Sequence, residues 1–165
     1  MLIEIKQILL SSPLVSQFLS ENTVRSLLAK KHGYQEERDK RYKVPDAIFN
    51  LKTPSADFRV ALELEMSQKS KARYKKLLRH LSTSDDFDLV MVVAKKAQII
   101  ELIRPILSDL WENDPVARLW KKRNGFYFVE LENLLRDKKN AQLEGFKNAF
   151  TLESLAAAVL AKPSK

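Results

Sequence analysis

"RVALELEMSQKSKARYKKLLRHL", residues 59–81, changes its period halfway along, and that change decides the fold. Up to Met66 the residues alternate. Phe58, Val60, Leu62, Leu64 and Met66 fall on one side of a strand, and Ala61, Glu63 and Glu65 fall on the other. From about Ser67 the apolar positions shift to i, i+3, i+4 and i+7 at Tyr74, Leu77, Leu78 and Leu81, the stripe of a packed helix. A strand with a core face and a face of paired carboxylates therefore runs into an amphipathic helix.

Upstream, "VPDAIF" at 44–49 opens a strand predicted over Val44 to Leu51, and "KTPSAD" at 52–57 has the Pro, Ser and Asp of a turn. The economical reading is an antiparallel pair that makes Asp46 a neighbour of Glu63 and Glu65. Downstream, "FDLVMVVA" at 87–94 is a continuous apolar run suited to a central strand covered on both faces. Ala97 to about Trp111 predicts a helix distorted at Pro105, and "GFYFVEL" at 125–131 predicts the last strand.

Toward the N-terminus, Ser12 before Pro13 and Ser20 before Glu21 are helix-start signals, which predict one broken helix or two, ending near His32 at Gly33. "YQEERDKRY" at 34–42 reads as an edge strand or a loop. After Leu131 the chain turns polar, with a short helix predicted from Leu152 to Leu160 and an end that frays. Helix, two or three strands, helix, strand, helix, strand is an α/β order. Its 165 residues suit a single domain with its core at about 20–131 and an extension at 132–165.

The hydrophobic share of 45% is that of an ordinary globular core, and the absence of cysteine removes disulfides and thiolate chemistry. No run approaches the roughly 20 apolar residues of a membrane helix, and the apolar N-terminus is interrupted by Glu4 and Lys6 without a cleavage site, so no membrane contact and a cytoplasmic location are expected. Three glycines and no G-x-S-x-G motif argue against a phosphate-binding glycine loop or a serine nucleophile. Twenty-nine Lys and Arg against 21 Asp and Glu give a charge of +8, which favours a polyanionic partner.

Three carboxylates at one end of a sheet repel each other. Two unit charges about 4 Å apart cost roughly 4 kcal/mol at an effective dielectric near 20, so a divalent cation is the direct compensation. Oxygen ligands favour Mg²⁺, Mn²⁺ or Ca²⁺, and Mg²⁺ commonly takes one or two carboxylates with water and a substrate phosphate. Lys69 is the candidate to orient a nucleophile or stabilise developing charge.

Pro45 and Asp46, then Glu63, Glu65 and Lys69, after a helix bearing Glu21, resemble the PD-(D/E)XK nuclease superfamily over residues 20–131. "PDAIF", "ALELEMSQKSKARY" and "FDLVMVV" further resemble nuclease-like proteins of bacterial plasmids and integrative elements, of the replication-relaxation type. The resemblance implies a restriction-endonuclease-like mixed sheet between helices. It also implies a site of Asp46, Glu63 and Glu65 around Mg²⁺ or Mn²⁺, with Glu21 assisting and Lys69 reaching back from the start of the next helix. Two registers stay open. With Glu63 as the ligand, Glu65 stands where the pattern has lysine, as a base or ligand; with Glu65 as the ligand, the lysine position falls on Ser67. The first retains both acids after Asp46 and is the reading taken.

Lys69, Lys71, Arg73, Lys75, Lys76 and Arg79 follow without an intervening acid, on two helical flanks: Lys69, Arg73, Lys76 and His80 on one, Lys71, Lys75 and Arg79 on the other. Beside a metal site they fit a phosphate backbone, so duplex or branched DNA is the expected partner, a metal-dependent DNA endonuclease the expected function, and a homodimer an assembly open to it. The alternatives are a non-catalytic nucleic-acid-binding or assembly module on the same fold, and a structural interaction protein. In the plainest reading, Glu63 and Glu65 face solvent on an edge strand, Glu21 serves the helix dipole, and the basic helix is a solvated face. Trp111 and Trp120 are expected to pack, and His32 and His80 to lie at helix ends or on the surface.

Overall fold

The run at 89–94 is apolar at every position because both sides of this strand are covered. It is the fourth strand of a seven-stranded mixed sheet in the computed structural model, which describes residues 1–32, 44–114 and 125–160. The described elements are α1 (Leu2–Leu10), β1 (Val15–Ser20), α2 (Glu21–His32), β2 (Ala47–Lys52), β3 (Asp57–Glu65), α3 (Lys71–Thr83), β4 (Leu89–Ala94) and α4 (Ala97–Asn113). They continue with β5 (Phe126–Glu130), α5 (Leu131–Asp137), a 3-10 turn (Lys138–Asn140), β6 (Leu143–Glu144), β7 (Ala149–Phe150) and α6 (Leu152–Leu160).

Strand order in the sheet equals order in the chain. β1, β2 and β3 form an antiparallel meander, β3, β4 and β5 are parallel, and β6 and β7 close the far edge antiparallel. The parallel steps β3–α3–β4 and β4–α4–β5 advance in one direction, and right-handed crossovers then put α3 and α4 on one face. Tyr74, Leu78 and Leu81 of α3 and Ile103 and Leu107 of α4 pack there on Ala61, Val90, Val92 and Phe128, with Val24 of α2 in the same cluster. The other face takes Ile5 and Leu9 of α1, Leu131 and Leu134 of α5 and Leu152 of α6 against Phe49, Val60, Leu62 and Met91.

The alternation read at 58–66 is observed. Val60 and Leu62 are core on the second face, with Phe58, Leu64 and Met66 packed against them, and Ala61 lies in the first cluster. The plainest reading, in which Glu63 and Glu65 face solvent on an edge strand, is overturned. β3 is an interior strand, and Glu63 and Glu65 are each 1% exposed beneath the layer of α2, α3 and α4. The hairpin at 52–57 forms, its turn closed by Thr53, whose hydroxyl donates to the Ala56 carbonyl at 2.8 Å.

Ser12 and Pro13 begin no helix. They lie in the turn between α1 and β1, and β1 occupies 15–20 where helix was expected. α2 does start after Ser20 and ends at His32. α4 runs on through Pro105 to Asn113. β5 is followed by two further short strands, so the strand at 125–131 is not the last, and α6 spans Leu152–Leu160 as expected. Residues 34–42, Trp120 and the end of the chain, 161–165, lie outside the described residues. No helix among those described is long and apolar enough to cross a membrane.

Candidate functional site

Because β2 is antiparallel to both neighbours, the end of β1, the start of β2 and the end of β3 share one edge of the sheet. That edge is also the carboxyl end of the parallel strands, where open α/β sheets form ligand crevices. Glu21, Asp46, Glu63 and Glu65 are all at this edge. The junction is held by the Glu21 N–H, which donates to the Asp46 carbonyl at 2.9 Å.

Asp46 stands one residue before the Ala47–Leu62 pair, where the β2–β3 ladder ends. Its Oδ2 accepts the Leu64 N–H at 2.7 Å, which satisfies a backbone donor the ladder no longer serves. Asp46 is half-buried. Glu63 lies opposite Val92 and Glu65 opposite Ala94, both pointing to the face of α3 and α4.

Glu65 is bound in place. Lys69 Nζ donates to its Oε1 and its Oε2, each at 2.6 Å, and the Lys69 side chain retains 29% exposure while Glu65 has 1%. A buried carboxylate costs several kcal/mol in lost hydration, so this lysine is what permits the charge there. Lys69 is not on the helix. α3 begins at Lys71 behind the N-cap Ser70, whose hydroxyl accepts the Arg73 N–H at 3.4 Å, so Lys69 reaches back from the connecting loop.

The arrangement includes a group that sequence reasoning placed only in the core stripe. The fully buried Tyr74 hydroxyl accepts the Lys69 N–H at 3.3 Å and lies 3.4 Å from Glu65 Oε2, to which it donates. The Lys69 ammonium is also 5.9 Å from the centre of the Tyr74 ring. Burial pushes the hydroxyl above the ordinary tyrosine value, the Lys69 N–H partly offsets this, and the Glu65 charge adds to the rise, so Tyr74 keeps its proton at neutral pH. The available signal was its position as first residue of the helical stripe directly after the acidic strand.

Glu21 is half-exposed on the first turn of α2 and pairs with Arg25 at 2.7 Å. On α3, Lys71, Arg73, Lys75, Lys76 and Arg79 are all exposed. Lys75 pairs with Asp109 at 3.3 Å and Arg79 with Asp114 at 3.1 Å, both acids at the C-terminal end of α4. Trp111 packs edge-on against Phe126 and Phe146.

The carboxylates thus share an edge without forming a three-ligand set. No group of three or more His, Asp or Glu among the described residues is placed to hold a metal ion. The carboxylates that could hold Mg²⁺ or Mn²⁺ are Asp46 and Glu63, a two-carboxylate set of the kind that water and a substrate phosphate complete. Compared with family models, curated proteins and solved structures, the chain has no match.

Proposed function

We propose that this α/β chain is a divalent-metal-dependent DNA endonuclease of the PD-(D/E)XK type on a restriction-endonuclease-like fold. The observation that carries the reading is the shared edge: Asp46 stands one residue beyond the Ala47–Leu62 pair and Glu63 one residue after Leu62, with the buried Glu65 paired to the partly exposed Lys69 two residues on. Asp46 and Glu63 hold Mg²⁺ or Mn²⁺. The bound ion supplies Lewis-acid polarisation of a phosphate and a water of lowered pKa. Glu65 and Tyr74 aim the Lys69 ammonium, whose exposed side faces substrate and offsets charge developing on the phosphoryl oxygens. Glu21, at the rim, orders the approach to Asp46 through its backbone contact.

The second reading, a non-catalytic nucleic-acid-binding or assembly module on the same fold, is favoured by one specific feature. Lys69 is consumed by an acid standing where the superfamily pattern has lysine. Incubation of purified protein with supercoiled, linear, single-stranded and branched DNA in Mg²⁺ or Mn²⁺ separates the two. The endonuclease reading expects cleavage that EDTA stops, with Asp46→Asn and Glu63→Gln inactive and without calorimetric metal binding. Wild type that binds DNA and cuts none of these substrates selects the module; cleavage undiminished in Asp46→Asn removes this site from the reaction.

A further inference from the structure

The two basic flanks of α3 are not equivalent. Lys75 and Arg79 lean on Asp109 and Asp114, and Lys71 lies on the same flank, within electrostatic reach of Asp109. Arg73 and Lys76 are exposed on the opposite flank, and their side chains make no hydrogen bond or ion pair among the described residues. Topology says which way each flank looks. α4 packs on β4 and β5, α2 packs on β1 and β2, and α3 lies against α4. The flank carrying Arg73 and Lys76 therefore turns away from α4, toward the strands whose edge holds Asp46 and Glu21, and Arg73 is in the first turn, its N–H on the hydroxyl of the N-cap Ser70 that follows Lys69.

We infer that the DNA backbone runs along the Arg73–Lys76 flank of α3, in line with Lys69 and the Asp46–Glu63 edge, and that the Lys71–Lys75–Arg79 flank serves to dock α3 on α4. This rests on the DNA reading above and adds the contact surface. Residues three apart on a helix are neighbours, about 5–6 Å between Cβ atoms, so Arg73 and Lys76 contact one strand together. A cation already facing an acid releases fewer counterions on binding phosphate, because its charge is offset in the free protein. A cation without a partner contributes its full share, about 0.9 in the slope of log K against log salt.

The test is fluorescence anisotropy of a labelled duplex titrated in EDTA over a range of salt, which reads binding without cleavage. Arg73→Ala/Lys76→Ala is expected to flatten the slope by about 1.8, with Lys75→Ala/Arg79→Ala close to wild type and Arg73→Lys/Lys76→Arg restoring the slope. All these positions are exposed, and thermal melts verify that each variant folds. A slope moved by Lys75→Ala/Arg79→Ala and not by Arg73→Ala/Lys76→Ala, or moved equally by both, overturns the inference and leaves DNA binding standing. Wild type that does not bind the duplex overturns the DNA reading and this inference with it.

Discussion

Glu65, with 1% exposure in an interior strand, is held by two groups, the Lys69 ammonium and the Tyr74 hydroxyl. Removing one member of such a pair strands the other. Lys69→Met is expected to destabilise the fold by about 3–5 kcal/mol, whereas the Glu65→Gln/Lys69→Met double variant recovers much of that, a coupling that a double-mutant cycle by urea denaturation measures. Loss of activity in a lysine variant therefore needs a stability measurement beside it. Tyr74→Phe is milder, about 1–3 kcal/mol at neutral pH for the two hydrogen bonds its hydroxyl makes with Glu65 and the Lys69 N–H. Its pH dependence has a definite sign. The folded-state value of Tyr74 is raised above 10.0, so the stability it contributes is complete below that pH and is lost as pH rises through the folded value. In EDTA, the gap between wild type and Tyr74→Phe should close in alkali; a gap that widens contradicts the raised value that burial gives this hydroxyl.

At the scale of elements, legibility followed period and length. β3, α3 and β4 were readable because each holds its pattern over enough residues, and the stripe Tyr74, Leu77, Leu78 and Leu81 is buried as expected. β1 was not. Its six residues alternate poorly, with Gln17 at φ 51 and a shift of register between Ser16 and Leu19, so a strand with a bulge presented itself as a helix start. β6 and β7 have two residues each, too short to carry any period. The end of α5 shows a local conflict of the same kind. Lys138 sits at φ 53, ψ −123, a region that glycine enters and side chains avoid, so Lys138→Gly is expected to raise stability by about 1 kcal/mol, read as an increased denaturation midpoint with unchanged slope.

For the molecule as a whole, the sequence exposed which residues meet at the carboxylate edge but not how they divide their work. Asp46, Glu63, Glu65 and Lys69 were found from alternation and spacing. That Lys69 would spend itself on Glu65, and that Asp46 would cap the Leu64 N–H, depends on side-chain geometry that only the assembled sheet and helices define. The two flanks of α3 likewise looked alike until α4 brought its acids to one of them. The sheet's plain order has a further consequence, for how the molecule comes into being. Every strand pairs with the one made just before it, so no strand must wait for a later segment to be threaded between it and its neighbour. Pairing each strand with its predecessor keeps contact order below that of a sheet of the same size whose strands interleave. The strands that carry the Asp46–Glu65 edge are consequently one contiguous stretch, β1 to β4, and none of them comes from the C-terminal third of the chain.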